Sequence, residues 1–168
     1  LPNFAELKNS FKDIFVLYLP KDIVSGDFYW FSKNNDSVLI AAVDCTGHGV
    51  PGALMSMIGN TLLNQIVNER GITDPGHILT ELNLKVRSVL RQDSDEANST
   101  DGMDMCICKL EKGRLFFAGA KRPIYVSSKS GIAEYKGDRY SIGGRQNGDR
   151  IFTTTEIEIK KMKEIWSL

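Results

Sequence analysis

Asp27 and Asp44 are the two residues whose type and spacing most clearly promise chemistry. They bound two mostly apolar runs, 27–33 and 38–44, separated by the turn-forming cluster Asn34-Asn35-Asp36-Ser37. A symmetric hairpin closing on those four residues pairs Lys33 with Val38. Counting outward, it pairs Phe28 with Val43 and Asp27 with Asp44. Directly opposed side chains on an antiparallel pair sit roughly 4.5–5.5 Å apart at Cβ. Two carboxylates that close repel, and a hard divalent cation bound by both removes the conflict. The bland alternative is a pair of strand-end aspartates facing solvent. Gly26 before the first, and Gly47 and Gly49 after the second, favour the metal, because glycine lets backbone approach a ligand closely. A register slip of one residue would send the two side chains to opposite faces.

Other candidates are weaker. Asp104 stands in an otherwise apolar strand, Gly102-Met103-Asp104-Met105-Cys106-Ile107-Cys108. A two-residue Lys112-Gly113 turn pairs Leu110 with Leu115, Cys106 with Gly119, and Asp104 with Lys121. Asp104 is then either a cross-strand ion-pair partner of Lys121 or a further metal ligand, and spacing leaves both open. Gly47 to Gly52 enters a helix and could receive an anion on its free N–H groups. It is no Walker loop, since the Gly-Lys-Ser/Thr ending is absent. Cys106 and Cys108 share a strand face. A zinc site would need Cys45 and His48 as well, so core packing is the better reading for these cysteines. His48 is either a ligand, an acid–base group or a backbone element, and His77 is a surface residue.

The elements that must position these groups follow from periodicity. Residues 4–12 are weakly amphipathic. Ile14 to Leu19 reads as a strand stopped by Pro20, and residues 21–26 as a loop. The hairpin strands are apolar on both faces, so both faces are covered. Leu54, Met55, Ile58, Leu62, Leu63, Ile66 and Val67 recur at helical steps and end at Gly71. Asp74-Pro75 opens a second helix carrying Ile78, Leu79, Leu82, Val86, Val89 and Leu90 on one face. Gln92 to Asp101 is a polar loop. Strands then follow at 103–110, 115–120, 124–128, 132–135, 152–159 and from 164. Strands, two helices, then strands exclude a regular βαβ repeat and predict an α+β layered sandwich.

The 168 residues suffice for one domain, 1–168, with a real core. Lys plus Arg and Asp plus Glu both number 21, so no global charge favours nucleic acid or a membrane surface. No apolar run approaches the roughly 18–20 residues of a membrane span. Three cysteines and no leader pattern suggest a reducing cytoplasm.

Four segments occur in order: Ser25-Gly26-Asp27-Phe28-Tyr29-Trp30, Asp44 to Ala53, Asp101-Gly102-Met103-Asp104-Met105, and Phe117 to Pro123. Together they resemble the SpoIIE-type branch of the metal-dependent protein phosphatases, relatives of protein phosphatase 2C, from about Phe15 to Trp166. The resemblance implies a four-layer α-β-β-α sandwich of two mainly antiparallel sheets flanked by helices. It implies a centre of two or more Mn²⁺ or Mg²⁺ ions held by Asp27, Asp44, the Cys45 backbone carbonyl and Asp104. Water activated there attacks phosphorus directly, with no covalent enzyme intermediate. Lys21, just upstream, is a candidate contact for the substrate phosphate. The expected substrate is phosphoserine or phosphothreonine on a bacterial regulatory protein of the anti-anti-sigma type, and a dimer is compatible. Such domains usually close larger sensor proteins. The family's last strand ends in Asp-Gly, and here the sequence stops at Ile165-Trp166-Ser167-Leu168. The expectation is therefore a domain lacking its last part and one ligand. Two competitors remain: a catalytically impaired phosphatase-like binding module, and a phosphoaspartate chemistry on Asp44-Cys45-Thr46-Gly47, against which the Asp27 partner argues.

Overall fold

A computed structural model describes residues 4–11, 13–19, 24–34, 37–93, 99–129, 131–146, 148–158 and 162–166. The hairpin forms with the predicted register. β1 (Phe28–Lys33) and β2 (Ser37–Cys45) pair from Lys33↔Val38 out to Phe28↔Val43. Two turn residues, 35 and 36, and the middle of the predicted polar loop, 94–98, lie outside the described residues.

β2 pairs on its other edge with β3 (Gly102–Glu111), which pairs with β4 (Arg114–Ala120), which pairs with β8 (Thr155–Glu158). A two-residue β7 (Ile142–Gly143) sits beside the start of β3. A smaller sheet runs β6 (Gly131–Tyr135), β5 (Ile124–Ser128), β9 (Met162–Trp166). All ladders between named strands are antiparallel. The expected fold class is observed: two antiparallel sheets and few helices.

Period-two alternation splits the large sheet into two cores. On one face, Phe28, Trp30, Leu39, Ala41 and Val43 pack with helix residues such as Met55, Leu63, Ile66, Ile78 and Leu79. On the other, Cys106, Cys108, Leu115 and Phe117 meet Ile124 and Val126 of the small sheet. The strands are apolar on both faces because each face is covered. Leu79 is fully buried. Leu79→Ala is expected to lower unfolding stability by about 3 kcal/mol, measured by chemical denaturation. A loss under about 1 kcal/mol would mean that this core is not packed as described.

The helices are α1 (Phe4–Ser10), α2 (Gly49–Asn64) and α3 (Pro75–Val89). Asp74 caps α3 by accepting from the His77 N–H at 2.9 Å, with Pro75 at the first position, as its sequence predicts. The end of α2 departs from expectation. Residues 65–69 widen into a π-helical turn. There the Asn64 side-chain Oδ1 accepts from the Trp30 indole at 3.2 Å and from the Asn68 amide at 2.8 Å, while the Asn68 Oδ1 accepts from the Ser32 hydroxyl. Two asparagines thus grip β1.

Two predicted strands are corrected. Residues 14–19 form no ladder among the described residues, and Phe15, Leu17 and Leu19 are exposed. Strand propensity without a neighbour to pair with does not make a strand. The strand predicted from Phe152 begins only at Thr155, because its first residues bond to α3 instead. The Phe152 N–H donates to Thr80 at 3.1 Å, and Thr154 accepts from the Gly76 N–H at 2.8 Å.

Candidate metal centre

The alternation that builds the inter-sheet core also delivers the site. Cys106 and Cys108 face the small sheet, so Asp104 continues their row. Ile40 and Ala42 pack on that same core, and Asp44 continues theirs. Phe28 and Trp30 face the helices, which leaves Asp27 on the side of the small sheet. Lys121 extends the row of Leu115, Phe117 and Gly119. Four charged residues therefore leave the same core at the same end.

The register brings the acids together. Asp44 and Asp104 are direct partners in the β2–β3 ladder. Asp27 lies one residue before the terminal Phe28↔Val43 pair, which sets its carboxyl beside that of Asp44. Burial, then the charge of Asp44, raise the Asp27 pKa above the ordinary aspartate value, with Arg122 pulling it down. Asp27 is held from both sides. Its N–H donates to Ser25 Oγ at 3.0 Å, and its carbonyl accepts from the Tyr18 hydroxyl at 2.9 Å. Thr46 fixes the end of β2: its N–H donates to the Gly102 carbonyl at 2.9 Å, and its hydroxyl accepts from the Gly102 N–H at 2.9 Å.

The predicted Asp104–Lys121 contact is present, at 3.9 Å. The sequence reading missed a second one, between the Arg122 guanidinium and the Asp44 carboxylate. Both cations come from one sharp corner. Lys121 has φ +58, a region costly for a side chain with a Cβ. The corner is tied down by Lys121 N–H to Asp138 O at 2.7 Å and Asp138 N–H to Gly119 O at 2.8 Å. The Lys-Arg-Pro run after an Ala-Gly-Ala strand end was the available signal.

Cys45 ends β2 with its side chain buried on the helix side. Burial first, then Asp27 and Asp44, push its thiol up to about 12. Cys106 and Cys108 lie on the opposite face, so the three cysteines and His48 do not converge as a zinc site. His48 sits exposed at the N-cap of α2 without a side-chain cap bond, and His77 lies at the surface 3.9 Å from Glu81. Lys21 lies outside the described residues. Gly26, Gly47 and Gly52 meet one another at a close backbone contact. A Cβ on Gly52 would lie 2.6 Å from the Gly47 carbonyl oxygen and 3.2 Å from the Gly26 Cα. They let three backbone segments touch, which brings Asp27 and Asp44 together.

Among the described residues no three His, Cys, Asp or Glu side chains converge into a ready cation cage. The donor chemistry nevertheless fits a hard cation. Two carboxylates, Asp27 and Asp44, lie side by side at the hairpin end, and Asp104 stands opposite Asp44 in the ladder. Positive charge already faces two of them, supplied by Arg122 and Lys121. Asp44, Cys45, Asp104 and Lys121 line an open cleft of about 390 Å³ together with residues 141–145 and Arg150.

A family model for Stage II sporulation protein E (SpoIIE) matches residues 34–161. The phosphoserine phosphatase RsbU of Bacillus subtilis (strain 168) is 40% identical over 72 residues, covering 42% of this chain and 21% of that protein's length. The SiaA PP2C domain of Pseudomonas aeruginosa superposes with a TM-score of 0.74 at 36% identity, covering 86% of this chain and 55% of that one. The PP2C phosphatase domain and regulatory fragment of SpoIIE from Bacillus subtilis gives a TM-score of 0.60 at 20% identity, covering 83% and 38%. At that identity the likeness is one of fold.

Proposed function

The chain belongs to the SpoIIE family, and from that premise we propose that it is a metal-dependent protein phosphatase domain of bacterial signalling. Its proposed substrate is phosphoserine or phosphothreonine on a small regulatory protein of the anti-anti-sigma type. The observation that carries this reading is the carboxylate cluster: Asp44 opposite Asp104 in the β2–β3 ladder, with Asp27 one residue beyond the Phe28↔Val43 pair and close enough for the Asp44 charge to raise its pKa.

In this reading Asp27, Asp44, Asp104 and the Cys45 carbonyl hold Mn²⁺ or Mg²⁺. When bound, the cations supply Lewis acidity to a water and to the phosphoryl oxygens. The chain's own residues do the rest. Thr46 locks the Asp44 and Asp104 strand ends in register. Arg122 and Lys121 balance the carboxylate charge and carry positive potential into the cleft. Lys21 is a further candidate contact for the phosphate. The raised Cys45 pKa keeps its thiol neutral beside the acids.

A second reading has its own support. Arg122 and Lys121 already offset two of the acids, an arrangement suited to a phosphatase-like module that binds a partner without turnover. Titrating Mn²⁺ into the protein with para-nitrophenyl phosphate separates the two. The phosphatase reading expects hydrolysis that rises with Mn²⁺ and stops on chelation. Stable folding with no metal-dependent turnover would favour the binding module.

A further inference from the structure

The loop that lines the cleft beside the acids is firmly held. Residues 141–146 follow no long strand, yet buried amides pin them. The side-chain Oδ1 of Asn83, a fully buried residue, accepts from the Gly143 N–H at 2.9 Å and from the Gln146 amide at 2.7 Å. Gln92, 4% exposed, accepts from the Gly144 N–H at 2.9 Å and donates to the Asp101 carbonyl at 2.6 Å. Arg150 donates to the Ser141 and Arg145 carbonyls at 3.0 and 3.3 Å and stacks on Tyr140. Its guanidinium is therefore spent on the loop. Arg145 differs. It lines the cleft, is exposed, and its guanidinium makes no hydrogen bond or ion pair among the described residues. An arginine without a side-chain partner among the described residues, on a pinned loop, lines the same open cleft as Asp44 and Asp104.

Cations belong at the acidic wall, so an anion belongs between them and Arg145. We propose that Arg145 binds the phosphate monoester dianion itself, through the paired N–H groups that suit a phosphoryl oxygen pair. This assignment rests on the phosphatase reading of the cleft and names a residue for its anionic ligand.

The test uses the full chain with Mn²⁺. Arg145→Ala is expected to raise both the KM for para-nitrophenyl phosphate and the inhibition constant of inorganic phosphate about tenfold. Mn²⁺ affinity should stay at the wild-type value, and Arg145→Lys should recover part of the loss because it restores charge without the fork. An unchanged phosphate inhibition constant overturns the assignment. So does a loss seen only with a phosphopeptide, which would put Arg145 on the peptide. If the wild-type chain hydrolyses nothing, the phosphatase reading fails, but the assignment is still decided by NMR. Adding inorganic phosphate with Mg²⁺ should shift an arginine Nε–Hε signal that Arg145→Ala removes. No such shift overturns it.

Discussion

Asp27→Asn is expected to abolish metal-dependent hydrolysis while making the metal-free protein more stable at neutral pH. The first effect follows from ligand loss. Partners that merely orient a metal ligand are worth about ten- to a hundredfold in affinity or activity, and removing a ligand should cost at least about a hundredfold. The second follows from the sign of the Asp27 pKa. Burial, then Asp44, raise it, so the folded state favours the protonated carboxyl more than the unfolded chain does. Stability of the metal-free protein therefore falls as pH rises from the ordinary aspartate range through the raised value, and the ionised form stays unfavourable above it. Asparagine removes that cost and keeps the shape. Melting curves in chelator across that pH range, for wild type and variant, test it. A variant that is less stable than wild type at neutral pH, or that keeps metal-dependent turnover, would contradict the assignment of Asp27. Residues kept for function at a cost in stability behave in this way.

Gly52→Ala is expected to damage the site without touching a charged residue. Its Cβ would meet backbone atoms only: the Gly47 carbonyl oxygen at 2.6 Å, the Gly47 carbonyl carbon at 3.1 Å and the Gly26 Cα at 3.2 Å. No side chain can rotate away, so the 25–27 and 46–48 segments must part. Overpacking of this kind costs about 1–3 kcal/mol, and if it falls on the Asp27–Asp44 approach, Mn²⁺ affinity should drop about tenfold. Calorimetric Mn²⁺ titration, with circular dichroism to confirm the fold, reads the effect. Unchanged affinity would mean that the glycine contact does not set the carboxylate spacing.

Much of this arrangement was legible in the chain. The hairpin register from Lys33↔Val38 outward, the Asp74 cap, and the Cys106↔Gly119 and Leu110↔Leu115 pairs all follow from turns a few residues long. Short turns leave few registers to choose from, and alternation then fixes each side chain's face. Asp27 facing Asp44, and Asp104 near Lys121, were consequences of that arithmetic. The strand predicted over 14–19 failed for the complementary reason, since local apolarity says nothing about whether a neighbour is available.

The sequence by itself thus determined two hairpins, two helices, and carboxylates at the hairpin ends whose mutual repulsion calls for a cation. Only the tertiary structure decided that the hairpins join edge to edge as β2 and β3, placing Asp44 opposite Asp104 with two helices between them in the chain. It also decided that Arg122 reaches Asp44, and that Asn83 and Gln92 hold the Gly143-Gly144 turn that brings Arg145 to the cleft. Those contacts join residues 52 to 78 positions apart. No local period or turn encodes such distances; they are set by how the layers close over their two shared cores.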